Sequence, residues 1–225
     1  MANRAYGQFC GFARALEAVG ERWALLIVRD LMVGPKRFTD LRRGLPGIPT
    51  NILTSRLKEL ERDGIIERRV LPRPEGSVVY DLTGYGRELE DSVVALSRWG
   101  AKTLDFPRAG EVATIDSMTM ALRTTFRPEA ARGVHATFEF HFGDIILNAL
   151  VDDGTLAIGP GPLPRDRGGE GPPIPPRADV VIEARGPINP VMSGELSPKD
   201  AVASGLIHVT GDKRLLARFA EMFRI

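Results

Sequence analysis

Residues 34–83 read GPKRFTDLRRGLPGIPTNILTSRLKELERDGIIERRVLPRPEGSVVYDLT. In order, the stretch holds a helix, a short turn, a second helix and a basic hairpin. The second helix, from about Pro49 to Asp63, places Leu53, Leu57 and Leu60 at i, i+4 and i+7, which marks a buried stripe. Asn51, Thr54, Ser55, Lys58 and Arg62 gather on the opposite side. A merely solvated face would carry more Glu and Lys. Here the first half of the helix offers Thr50, Asn51, Thr54, Ser55 and Arg56, whose groups donate to or accept from base edges and phosphates.

Gly64 stands where that helix should stop. The run from Ile65 to Leu71 is rich in branched residues and carries Arg68 and Arg69; Arg73-Pro74-Glu75-Gly76-Ser77 is a turn, and Val78 to Leu82 returns as a second strand. This is the layout of a winged helix-turn-helix. An arginine-bearing wing lies along phosphates or enters a minor groove while the helix beside it occupies the major groove. Charge follows the same plan. Residues 1–103 hold 17 Lys and Arg against 13 Asp and Glu, while residues 104–225 hold 13 against 16, so a net charge of +1 conceals a basic first half and an acidic second half. From Lys36 to Arg73 the count is 10 against 5, which concentrates the excess on the reading head as counterion release requires.

Several short motifs in this order and spacing carry a family likeness. Leu16-Glu17-Ala18-Val19-Gly20-Glu21-Arg22-Trp23 follows Cys10, and Gly34-Pro35-Lys36-Arg37-Phe38-Thr39-Asp40-Leu41 comes next. Leu53-Thr54-Ser55-Arg56-Leu57-Lys58-Glu59-Leu60-Glu61, Asp63-Gly64-Ile65-Ile66 and Tyr80-Asp81-Leu82-Thr83 complete the set. Over about residues 8–103 the chain resembles the HxlR-type winged-helix transcription regulators, relatives of the MarR group. The resemblance implies a homodimer on an inverted-repeat operator in double-stranded DNA, each recognition helix in a major groove. The chain departs from the pattern at Pro49, where a small hydroxyl residue usually caps the recognition helix, and at Val78-Val79, where Val-Glu is usual. Cys10 aligns with a cysteine that some relatives use to sense oxidants; a small buried packing residue is the default reading of its type.

With Cys10 as its one cysteine, the chain forms no internal disulfide and fits a reducing cytoplasm. No apolar run approaches the 18 or so residues of a membrane span, so neither a targeting segment nor a membrane partner is expected. At 225 residues and 43% hydrophobic, it supports two cores. After the wing, Thr83 caps a helix in which Leu89, Val93 and Leu96 share a stripe with Trp99 close by. That stripe serves either a mate in a dimer or the domain's own core. Pro107 to Gly110 interrupts the pattern, giving a winged-helix domain over residues 1–106 and a second domain over 111–225.

The second domain opens with a helix on which Ile115, Met118, Leu122 and Thr125 share a face. Next comes a strand whose Val134, Ala136, Phe138, Phe140 and Phe142 alternate with His135, Thr137, Glu139 and His141. His135 and His141 stand about 20 Å apart at strand rise, too far to share a metal. Strands follow at Ile145–Val151 and Thr155–Ile158, and then 5 Gly and 7 Pro crowd residues 159–178, the composition of a long mobile loop. A strand to Ala184, a helix capped by Ser197-Pro198 and ended by Gly205, a strand at Leu206–Thr210 and a closing helix after Asp212 complete an α+β domain on an antiparallel sheet. The closing helix carries Leu215, Leu216, Phe219, Met222 and Phe223 on one stripe. Residues 192–201 and 204–212 resemble the end of sterol-carrier-protein domains, which implies a tunnel for an apolar molecule walled by Phe138, Phe140, Phe142, Met192, Phe219, Met222 and Phe223. The same residues equally make an ordinary core.

Nothing in the chain reads as catalytic. No Ser/His/Asp or Cys/His set has supporting context, no histidines stand at metal spacing, and Gly211-Asp212-Lys213 lacks a phosphate loop before it. We expect a non-enzymatic regulator without cofactor or metal. Its DNA contacts are expected at Arg37, Thr50, Asn51, Thr54, Ser55, Arg56, Lys58, Arg69 and Arg73, its dimer contacts at Leu89, Val93, Leu96 and Trp99, and a small apolar effector in the second domain. The competing reading is a carrier of apolar ligands whose helix-turn-helix makes protein contacts.

Overall fold

Three apolar stripes meet in the first half of the chain. The computed structural model describes residues 5–72, 74, 76–104, 107–161 and 178–225. Helix α1 (Gly11–Val19) turns through Gly20-Trp23 into α2 (Ala24–Val33), and α3 (Phe38–Gly44) leads through a buried Leu45 and Ile48 into α4 (Thr50–Arg62). Ile27, Val28 and Leu31 of α2, Leu41 of α3 and Leu53, Leu57 and Leu60 of α4 are all within 2% of complete burial. Each such side chain contributes roughly 1.5–3 kcal/mol of burial, so the stripe of α4 holds the helix against its neighbours. Pro49 caps α4 from outside with φ −66° and ψ 142°, and its carbonyl accepts from Leu53 N–H. The helix therefore begins one residue later than Pro49, and no side chain caps it. At the other end Gly64 takes φ +72°, which ends the helix without a Cβ penalty.

Strands β1 (Ile66–Val70) and β2 (Val78–Leu82) pair antiparallel, Ile66 opposite Leu82 and Val70 opposite Val78. Lys36 adds a bridge on the far side of β2: its N–H donates to Tyr80 O and its carbonyl accepts from Tyr80 N–H. Thr83 caps only a single turn, α5 (Gly84–Arg87), by accepting from Gly86 N–H, and the longer α6 (Glu90–Ala101) begins afresh. The single helix expected from Thr83 onward is thus two. The cause is local: a Cβ on Gly86 would lie 2.0 Å from Ile65 O, so α5 is pressed against the root of the wing before the chain turns away.

The compact units of the chain divide at Leu96 and Ser97, inside α6. In the second unit α7 (Ile115–Thr125), held by a Thr114–Ser117 capping box, precedes β3 (His135–Phe142), β4 (Ile145–Asp152), β5 (Thr155–Pro160), β6 (Val180–Ala184), α8 (Asn189–Ser193), α9 (Pro198–Ala203), β7 (Ile207–Gly211) and α10 (Arg214–Met222). The sheet order is β5-β4-β3-β6-β7. It is mixed, not antiparallel throughout: β6 runs parallel to β3, with Phe138 opposite Val180. Hairpin pairing puts β4 and β5 on one side of β3, and β6 takes the other edge of β3 while the outer edge of β5 stays the border of the sheet. Most of the expected Gly/Pro loop, residues 162–177, lies outside the described residues. Ser197 caps α9 as expected, accepting from Asp200 N–H with Pro198 at the first position. Among the described residues no helix is long and apolar enough to cross a membrane, and no three His, Cys, Asp or Glu side chains could share a metal ion.

Candidate nucleic-acid interface

Helix α4 shows two arcs. Thr50, Asn51, Thr54 and Lys58 are exposed along one side, while Leu53, Leu57 and Leu60 face inward. Thr54 Oγ1 donates to Thr50 O at 2.9 Å, which leaves its acceptor lone pairs outward. Ser55 is half-buried and spends its proton on Glu59 Oε1 at 3.1 Å. Arg37, at the start of α3, is exposed, and its N–H donates to Asp40 Oδ2. Arg42 and Arg43 are exposed on the same short helix and belong to its basic excess.

Two expected phosphate contacts are otherwise engaged. Arg56 is buried at 9% exposure, its guanidinium donating to Glu21 Oε2 at 3.1 Å and to Glu59 Oε2. It belongs to the interior, because position 56 falls three residues after Leu53 and four before Leu60, within the buried stripe. Arg69 is half-exposed but paired: it donates to Asp81 Oδ2 at 2.6 Å. Asp81, 2% exposed, also accepts from Arg87 at 2.8 Å and from Leu82 N–H. This buried carboxylate ties β1, β2 and α5 together at the root of the wing, and sequence reasoning missed it. The available signal was an acid two residues after inward Val79, on the same face of a strand whose partner carries Arg68 and Arg69. Arg73 lies outside the described residues.

The helix expected at a dimer interface is divided in its allegiance. Val93 is 5% exposed and packed into the first unit's own core, which corrects its assignment to an interface, while Leu89 is half-buried at the margin of the same core. Leu96 and Trp99 remain 52% and 72% exposed. Phe9 and Phe12, at the start of the chain, are also fully or largely exposed.

Cys10 is exposed, against the buried packing residue expected. It stands just before α1, and the backbone N–H groups of Ala13 and then Phe12 lower its thiol below the usual range. Arg14 adds little there, since its guanidinium is paired with Glu17 at 2.9 Å.

The seven side chains proposed as a tunnel wall come together, but on each other. Phe138, Phe140, Phe219, Phe223 and Met222 have no exposed surface, Met192 has 4%, and Phe142 packs at their margin. Phe140 has its ring centroid 5.9 Å from Phe138, 5.4 Å from Phe219 and 6.1 Å from Phe142, and Phe219 stacks on Phe223 at 5.0 Å. His135 pairs with Asp152, His141 with Glu139, and His208 is exposed.

A family model of HxlR-like helix-turn-helix domains matches residues 18–107. The chain is 34% identical over 94 residues to YvaP of Bacillus subtilis, an HTH-type transcriptional regulator, covering 42% of this chain and 87% of that protein. The chain belongs to the HxlR-like helix-turn-helix family. YodB of the same organism, also named an HTH-type transcriptional regulator, is 41% identical over 85 residues, 38% of this chain and 76% of its own length. Among solved structures, the redox regulator HypR in its oxidised form shares 36% identity and a TM-score of 0.40, covering 43% of this chain and 99% of that one. Relatives of this HxlR-like chain are thus named as transcriptional regulators, and the residues that the family model matches include α4 and both strands of the wing.

Proposed function

We propose that the chain is a homodimeric transcription regulator that binds an inverted-repeat operator in double-stranded DNA. One observation carries the reading: the outward arc of α4 presents Thr50, Asn51, Thr54 and Lys58, amide, hydroxyl and ammonium groups on a helix whose other side is anchored by leucines. Asn51 and Thr54 address base edges; Arg37 and Lys58 neutralise phosphates, joined by Arg73 at the wing. Ser55 buttresses the reading face through Glu59, and Arg69 positions the wing through Asp81. Leu96 and Trp99, with Phe9 and Phe12, supply apolar surface for the second subunit.

Selection from a random-sequence duplex library with the wild-type protein tests this. Two half-sites in inverted orientation, about one helical turn of DNA apart or a multiple of it, are the expected product. Enrichment of a single unrepeated site would reject the dimer, and no enrichment would reject sequence-specific binding.

The sterol-carrier-like reading of the second unit is supported by the Gly211-Asp212 lead into the closing helix α10 and by the sheet that α10 packs against. Its interior we read as core, because an apolar effector would have to part rings already in mutual contact. Cys10 gives a subsidiary expectation. A thiol lowered in the folded chain holds more thiolate at neutral pH than the same thiol in urea, so its alkylation by iodoacetamide should be faster in the folded protein, and the increase of rate with pH should be centred at a lower pH there than in urea. Equal pH profiles in the two states would show that the helix end does not activate it.

A further inference from the structure

Leucine stripes hold a helix down, yet they do so without direction: Leu53, Leu57 and Leu60 tolerate small rotations of α4 about its axis. Reading base edges does not. Side-chain ends stand roughly 6 Å from a helix axis, so a rotation of about 20° carries them about 2 Å, enough to break a hydrogen bond. The directional contact on the inner side of α4 is Arg56, whose planar guanidinium reaches Glu59 on its own helix and Glu21 in the α1–α2 corner. That corner is itself closely defined. Gly20 approaches Leu16 O so tightly that a Cβ would lie 2.5 Å from it, Trp23 holds φ +80°, and the Arg22 guanidinium sits 5.2 Å from the Trp23 ring centroid. A left-handed backbone at a bulky residue persists only where its surroundings dictate it.

We propose that Glu21 and Arg56 form a positioning clamp that sets the rotation of the reading helix against the α1–α2 corner, so that Asn51 and Thr54 meet base edges in register. The inference rests on the reading of α4 as a DNA-recognition helix and assigns Arg56 a role that is not a DNA contact. Glu21 makes the claim testable, because removing a carboxylate near a DNA-binding surface ordinarily tightens binding through electrostatics. A clamp demands the opposite.

The test measures fluorescence anisotropy with two labelled duplexes, the one enriched by wild-type selection and a scrambled version. The variants are Glu21→Gln, Arg56→Gln and the double replacement. For Glu21→Gln we expect about tenfold weaker binding of the enriched duplex, with the scrambled duplex bound as well as or better than by wild type. Arg56→Gln should weaken the enriched duplex while keeping the wild-type dependence of affinity on salt, and the double variant should be no weaker than Arg56→Gln alone. Glu21→Gln binding the enriched duplex as tightly as wild type overturns the clamp. So does a fall of about one in the salt slope of Arg56→Gln, the mark of a direct phosphate contact. Glu21→Gln leaves the Arg56–Glu59 pair in place, so its result decides the matter even if Arg56→Gln fails to fold. A wild-type selection that enriches nothing would instead overturn the DNA reading, and the clamp with it.

Discussion

Phe140→Ala is expected to destabilise the second unit by about 3–5 kcal/mol, the range for emptying a buried aromatic position. The ring is wholly buried and meets Phe138, Phe142, Phe219 and Phe223 at centroid distances of 5.4 to 6.1 Å. Its removal would therefore leave a void between β3 and α10 that stiff neighbours fill poorly. Hydrogen exchange resolves the effect by region. Amides of β3 and β4 should lose protection, while those of α2 and α4, which belong to a separate core, keep theirs. Unchanged protection in β3 would mean that the ring contributes little to packing, and the tunnel reading would regain its force.

Asn51→Ala should cost about 10- to 100-fold in discrimination between the enriched and scrambled duplexes, since a bidentate side-chain contact to a base is worth roughly 1–3 kcal/mol. The residue is exposed in the first turn of α4, where recognition helices commonly meet base edges. Affinity for the scrambled duplex should be nearly kept, because phosphate contacts, not base contacts, sustain it. Competition between the two duplexes measures the ratio directly. An equal loss on both would place Asn51 on the backbone and remove it from sequence reading.

The helical elements around α4 were legible because their signals are local. Leucine spacing and Gly64 as a stop need no knowledge of distant residues. Arg56 was misplaced for an instructive reason. Its charge suggested water, whereas its spacing from Leu53 and Leu60 put it inside, and a carboxylate 35 residues earlier, Glu21, makes that burial tolerable. Val93 was ambiguous because a stripe facing the domain's own core and one facing a mate look alike until partners are known. The reading of Cys10 as a buried residue failed on the same ground, since residue type carries a burial tendency but not a position. In the second unit the strands were readable by alternation. The parallel union of β3 and β6 was not, because strand patterns along the chain carry no record of which edge remains open. The aromatic cluster was found residue by residue, but only ring-to-ring distances separate a wall from an interior.

That union bears on how the chain is made. Phe138 meets Val180 across some forty intervening positions, so during synthesis the β3–β5 meander can assemble well before the strand that flanks it leaves the ribosome. Until then the inner border of β3 is an open template for foreign strands, with phenylalanines on the adjoining surface. Shortened products that end between β5 and Ala178 should accordingly be recovered as aggregates, whereas shorter ones that end before β3 should remain dispersed.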